Sequence, residues 1–319
     1  MIRVLFHINE FNERGTSYAV YKYAHYNETI LGNLSYIICP KQNEFKNTKE
    51  FFEHRFTSRV FGYQQFTEVD KIIQQYNIHI FYALTSGYAN NKHVISKLVP
   101  SCEHVVFPNK ISGTKRKAYI SEWVSIKMSK GKIPFVPLIV ELPNVNENMR
   151  KELGISYSTI VFGRHGGWPS FQDKDGIEAV IETAKTNPNI IFIFVNTKPF
   201  STQISNIKYL PSILFGDEIA KTRFINTCDA MIHARIHGEC FGLAVAEFSI
   251  RNKPVITNSN GRDKAHIHML GKKAIQYNDK KSLMEIFRTF KRNVHKDWNA
   301  FQQYTPALVM KKFERIFLW

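Results

Sequence analysis

The sequence predicts an α/β chain of two tandem Rossmann-like units, and three observations carry that prediction. Short apolar runs alternate with helix-spaced segments along most of the 319 residues, as parallel sheets with crossover helices require. The length exceeds what one hydrophobic core usually serves and suits two units of roughly 150 residues. A proline-marked extended stretch, Ile133-Pro134-Phe135-Val136-Pro137 through Leu142-Pro143-Asn144, interrupts the alternation near mid-chain. The expected division is 1–143, joined by a C-terminal helix at about 300–319, and 144–299.

In the first unit, Ile2 to Ile8 is an apolar run suited to a buried parallel strand. A polar loop from Asn9 to Ser17 follows, then Tyr18, Tyr21 and Ala24-His25 at helical spacing, then strand-like Leu34 to Cys39. A helical stretch, Val69 to Tyr76, leads into Ile78 to Ala83, with further strands expected at His104 to Phe107 and Lys117 to Ser121. In the second unit, Thr159 to Phe162 ends in Gly163-Arg164-His165-Gly166-Gly167. Helices are expected at Asp175 to Thr186, Gly216 to Thr227 and Phe241 to Ile250, with strands at Ile190 to Val195, Ala230 to Ile232 and Pro254 to Thr257. Trp298 to Trp319 reads as a basic helix with a regular apolar face.

Hydrophobic content of 44% and charged content of 22% are those of a folded domain and exclude wholesale disorder. No apolar run approaches the roughly 18 residues of a membrane span, and Met1 leads directly into the first strand, so no cleaved secretion signal is expected. Cys39, Cys102, Cys228 and Cys240 show neither paired spacing nor a zinc pattern, and a cytoplasmic setting is expected. The net charge of +16 favours anionic partners. It is spread evenly, +7 over 1–143 and +9 over 144–319, with the densest cluster at Lys110 to Lys117, either a solvated loop or an anion contact. Peripheral contact with an anionic membrane surface is compatible with this charge. Nucleic acid is disfavoured because basic stripes interleaved with aromatics are absent.

Ligands of open parallel sheets bind at the carboxyl ends of strands, where helix N-termini present unpaired N–H groups. Three loops qualify. Gly15 and Thr16 follow the first strand, and Ser17 is placed to cap the helix there. Gly163-Arg164 ends the first strand of the second unit, where glycines admit a diphosphate and Arg164 offers a bidentate fork. Lys174 supplies a second positive charge. The third loop, His233-Ala234-Arg235-Ile236-His237-Gly238-Glu239-Cys240-Phe241-Gly242-Leu243, continues to Glu247, eight positions beyond Glu239 and so near one face of a helix. A carboxylate embedded among Ala244, Val245, Ala246 and Phe248 needs donors, and vicinal sugar or ribose hydroxyls are natural ones.

Gly238-Glu239-Cys240-Phe241-Gly242-Leu243-Ala244-Val245-Ala246-Glu247, followed by Pro254-Val255-Ile256, resembles the E-x7-E signature of retaining glycosyltransferases of family 4, which have the two-Rossmann GT-B fold. Gly163-Arg164 is similar to that family's G-R at the end of a strand. The resemblance covers about 160–260 closely and the first half more loosely. It implies two domains facing a cleft, the first (1–143) holding the acceptor and the second (144–299) the nucleotide-sugar donor, a terminal helix crossing back to the first domain, and metal-independent transfer of a hexose with retention. The donor would be a UDP- or GDP-sugar, no cofactor being required, and the acceptor a glycan, a lipid-linked glycan or a glycoprotein. Arg164, and Lys174 with it, would stabilise the diphosphate as the glycosidic bond breaks. Glu247 would hold the ribose, Glu239 the donor sugar, and amides near Phe241, Gly242 and Leu243 sugar hydroxyls or phosphate. His104 would face the sugar from the first domain, with Gly15 and Thr16 near the phosphate. The family's lysine-glycine pair appears here as Lys174-Asp175-Gly176, and His233-Ala234-Arg235 replaces its usual proline-serine, so that Arg235 could reach a phosphate. Two alternatives are a DNA-modifying glucosyltransferase of the same fold and a non-catalytic nucleotide-sugar or glycan-binding protein.

Overall fold

The computed structural model describes residues 1–43, 45–87, 95–111, 113–201 and 203–319. The chain forms two compact units, one of Met1–Ile139 with Gln303–Trp319 and one of Val140–Gln302.

Unit 1 runs β1 (Arg3–His7), α1 (Gly15–Thr29), β2 (Leu34–Pro40), α2 (Lys46–Arg55), β3 (Val60–Tyr63), α3 (Thr67–Gln75), β4 (Ile80–Thr85), β5 (Ser101–Val105), β6 (Arg116–Tyr119) and α4 (Glu122–Ser129). Its sheet has the order β3-β2-β1-β4-β5-β6, with every pairing parallel. Helices on both faces explain why β4 is buried along its whole length and is apolar up to its last residue, Thr85.

Unit 2 runs β7 (Ile160–Arg164), α5 (Lys174–Thr186), β8 (Ile190–Phe194), β9 (Ile207–Tyr209), α6 (Glu218–Thr227), β10 (Ala230–His233), β11 (Gly238–Glu239), α7 (Leu243–Ile250), β12 (Val255–Asn258), β13 (Asp263–Lys264), α8 (Ala265–Leu270), β14 (Ala274–Tyr277) and α9 (Lys280–Thr289). The sheet order β14-β12-β10-β7-β8-β9 repeats the winding of unit 1. In each sheet the order reverses beside the first strand, between β1 and β4 and between β7 and β10. Those two switch points are where such folds hold ligands.

The last helix, α10 (Pro306–Phe313), belongs to unit 1. Phe313 lies 5.1 Å from the Tyr82 ring, and Phe317 lies 5.2 Å from both Tyr82 and His104. The helix is shorter than the sequence suggests. Pro306 sits at its first turn, a position proline favours, and Trp298 belongs to unit 2, where Asn252 accepts its backbone N–H and its own carbonyl accepts from Ser249. Among the described residues no helix is long and apolar enough to cross a membrane.

Candidate functional site

The C-terminal ends of β7 and β10 gather most of the expected residues of unit 2. Arg164 closes β7 and is 4% exposed. Its guanidinium donates to the hydroxyls of Thr197 and Ser170 and, at 3.4 Å, to the Gly167 carbonyl, and it lies over the Phe171 ring. All these partners are neutral, and among the described residues no carboxylate comes within ion-pair distance. Burial pulls its pKa down to about 10, Glu239 acting upward and Arg235 downward. A buried cation with spare donors and hydrogen bonds to neutral groups is a receptor for an anion.

Glu239 stands on the short strand β11, not on the helix that carries Glu247. Gly238 and Gly242, at φ +69° and +88°, hold the backbone in the left-handed region on either side of it, so the helix begins only at Leu243. A methyl on Gly238 would lie 2.0 Å from the Asp263 carbonyl oxygen, which fixes glycine there. The eight-residue spacing therefore joins a strand end to the second turn of α7 rather than two turns of one helix.

The Glu239 Oε1 accepts from Arg235 at 2.7 Å and from His233 Nε2 at 3.4 Å. Behind it, Thr257 Oγ1 lies 2.9 Å from both His233 Nδ1 and His266 Nε2. With a carboxylate at the end, the consistent pattern is His266 donating to Thr257, Thr257 to His233 and His233 to Glu239. Burial holds His266 near pKa 3, so it is neutral, with its one proton on Nε2 in that pattern. Burial alone would raise the Glu239 pKa, but the His233 hydrogen bond and the Arg235 charge lower it to about 2. The other oxygen, Oε2, makes no hydrogen bond among the described residues.

Glu247 is buried on α7. Lys221 of α6 donates to its Oε1 at 2.8 Å and to Glu218 at 3.1 Å. His165 Nε2 lies 3.1 Å from Oε2, close enough for an ion pair but not aligned as a hydrogen bond. Oε2 thus keeps lone pairs to offer a ligand. Burial opposes ionisation of Glu247, and Lys221 followed by His165 outweighs it, so its pKa falls well below the ordinary value. Lys221 and His165 were not expected from the sequence. They sit on other elements, and no local pattern ties them to α7.

Both acids have folded-state pKa values below 4.5, so their contribution to stability is present above pH 4.5 and is lost as pH falls toward 2. For Glu239 a shift of this size corresponds to about 3 kcal/mol. Thermal unfolding followed from pH 6 to 2.5 should show the midpoint falling steeply below pH 4.5, and Glu239→Gln should blunt that fall. A flat profile in the wild type would remove the ion pairs from the account.

The other expected residues are placed as follows. Gly242 caps α7 and Leu243 begins it, leaving their amides at a helix N-terminus beside Glu239, whereas Phe241 is buried against Phe301. Gly163 lies within β7, where its missing side chain has a packing reason. A methyl there would meet the Cys228 Sγ at 2.1 Å, so the glycine permits packing inside the sheet. Lys174 opens α5 with an exposed side chain whose ion pair is with Glu178, 3.8 Å away. Gly15 and Thr16 open α1 at the end of β1. Ser17 does not cap that helix. Its hydroxyl donates to the Glu10 carbonyl and accepts from the Asn12 N–H, tying the loop to the first turn.

The expected active-site histidine is a core residue. His104 is fully buried on β5. Its Nε2 donates to the Val136 carbonyl at 2.9 Å, which leaves Nδ1 to accept from the Tyr82 hydroxyl at 2.7 Å. Burial holds its pKa near 3. With both nitrogens committed and no surface, it presents nothing to a sugar.

No protein-family model matches this sequence, and no curated protein matches it. Solved structures do. The fold is similar to that of a glycosyltransferase from Rickettsia africae ESF-5, at TM-score 0.73 and 13% identity over 99% of this chain and 97% of that one. It is also similar to Anabaena Alr3699/HepE in complex with UDP and glucose, at TM-score 0.71 and 14% identity over 99% of each chain. A third similarity is to a Listeria monocytogenes structure described as a candidate UDP-N-acetylglucosamine 2-epimerase, at 0.63 and 10% over 98% and 94%. Identities this low show the fold, which is that of the GT-B glycosyltransferases.

Proposed function

We propose that this chain is a retaining hexosyltransferase, moving a hexose from a UDP- or GDP-sugar to a glycan, lipid-linked or glycoprotein acceptor without a metal. The observation that carries the reading is Arg164, a buried guanidinium at the switch point of unit 2 whose hydrogen bonds go to neutral groups and which has no carboxylate within ion-pair distance among the described residues. A diphosphate supplies the missing anion, helped by the N-terminus of α7. In transfer, the bond from the sugar C1 to the diphosphate oxygen breaks and its electron pair passes to that oxygen. Arg164 and Arg235 stabilise the growing charge. The acceptor hydroxyl oxygen forms the new bond to C1 on the face the leaving group vacates, and its proton passes to the departing phosphate. Glu239, through Oε2, would accept from a donor-sugar hydroxyl, and Glu247 from the ribose. The UDP-bound and UDP-sugar-bound Anabaena structures support a UDP donor by similarity of fold.

A thermal-shift panel of UDP, GDP, ADP and their hexose conjugates, with and without EDTA, tests the proposal. A ligand present at a hundred times its Kd should stabilise the protein by about 2.7 kcal/mol, within one nucleotide family and with EDTA making no difference. No shift at millimolar concentration would sink the donor site. A shift without donor hydrolysis or transfer would leave a binding protein.

A further inference from the structure

Behind Glu239 lies a polar chain that packing alone does not require. His233, Thr257 and His266 are buried, the last two completely, and such groups are stable there only when hydrogen-bonded. Apolar side chains would fill the same space without that requirement. His233 ends β10, and Thr257 stands beside it in the parallel register of β12. His266 comes from α8, which starts directly after Lys264, the partner of Glu239 in the β11–β13 pair. Two glycines let these elements close up. A methyl on Gly261 would lie 3.0 Å from Gly238 Cα, and one on Gly242 would lie 3.4 Å from His266 Cβ. The rings of His233 and His266 thus come within 4.8 Å of each other, centroid to centroid. Thr257 Oγ1 lies 2.9 Å from a nitrogen of each.

That hydroxyl makes the two rings interdependent. It has one proton, so it donates to one imidazole and accepts from the other. An ionised Glu239 only accepts, so a neutral His233 must carry its proton on Nε2, which leaves Nδ1 bare. Thr257 then donates to that Nδ1 and accepts from His266 Nε2. Arg235 also donates to Glu239 Oε1, at 2.7 Å, but its side chain is partly exposed on a flexible stem. His233 is buried and held from behind. Its bond to Oε1 is the longer, 3.4 Å, and bonds of this kind tighten in the Michaelis complex. With Oε1 committed to both donors, the direction of Oε2 is set.

We propose that Thr257 and His266 are positioning residues of the donor site. Through one hydroxyl they fix the His233 tautomer that holds Glu239 Oε1, and they thereby aim Oε2 at the donor sugar. The aim at a sugar rests on the transferase reading above; the tautomer does not.

Ring-nitrogen NMR on the full chain at pH 8, where an unperturbed imidazole is neutral, reads the tautomer. His233 should carry its proton on Nε2 in the wild type and in Thr257→Ser, which keeps the hydroxyl. Thr257→Val keeps the shape and removes the hydroxyl, so there the preference should be lost. Turnover per folded molecule should follow the tautomer. The valine variant should lose about ten- to a hundred-fold in kcat, a small misalignment being enough, with KM little changed. The serine variant should keep the wild-type rate. Should the valine variant not fold, Thr257→Ala gives the same comparison. A proton on His233 Nδ1 in the wild type, alone or together with one on Nε2, would overturn the proposal. So would a valine variant at the wild-type kcat, which makes the chain a packing feature. A serine variant as slow as the valine one would also sink it, because the methyl would then be the part that matters. A wild type with the Nε2 tautomer but neither transfer nor donor hydrolysis removes the transferase reading and leaves the tautomer lock.

Discussion

Arg164→Met should lower transfer from a nucleotide-diphosphate sugar by about 10²–10³, the usual cost of removing one preorganised donor from developing negative charge. The geometry sharpens the test, because Arg164 also has a structural role. Its bonds to Thr197, Ser170 and Gly167 join the ends of β7 and β8 to the loop between β7 and α5, so the variant should lose stability as well. Arg164→Lys separates the two roles. Lysine restores the charge but not the planar fork, and it should recover part of the rate with little of the bonding. Kinetics per folded molecule, with unfolding midpoints for both variants, decide the matter. If both variants lose stability but turn over at the wild-type rate once folded, Arg164 is a brace and the diphosphate site lies elsewhere.

The same duality explains what the sequence disclosed. Strands buried on both faces announced themselves, as Ile190–Phe194 does with five apolar residues in succession. Two of the elements that escaped bury little. Strand β3 has four residues, three of them only half-buried, and includes a glycine. Helix α2 is polar and buries only Thr48 and Phe52. Within the site, Glu239 and Glu247 were legible because an acid among apolar neighbours must be satisfied. Their partners were not, since Lys221 arrives from α6 and His165 from the end of β7. His104 was misjudged for the matching reason. A histidine near a strand end looks the same whether it faces a ligand or a core, and Val136 and Phe317, which decide the case, lie far away in sequence. Gly163 reads equally well as a phosphate glycine or a packing glycine until Cys228 is seen behind it.

Glu247→Gln should cost about 3 kcal/mol, the low end of what breaking a buried ion pair usually costs. Lys221 would then stay buried without its shortest ion pair, that to Glu247, and with Glu218 3.1 Å away. In a unit of this size that loss lowers the unfolding midpoint by about 6–12 °C. Adding Lys221→Met removes the stranded charge, and K221M/E247Q should regain most of the lost stability. Nucleotide binding should behave differently. If Oε2 of Glu247 receives a ribose hydroxyl, the double variant is stable but its UDP-induced shift stays small, because the amide that replaces the carboxylate is a weaker acceptor. Recovery of both stability and the UDP shift would show that Glu247 serves only to balance Lys221. A single variant as stable as the wild type would remove the ion pair itself. The comparison therefore distinguishes a carboxylate kept for the fold from one kept for the ligand, and Glu247 is the residue at which the two demands coincide.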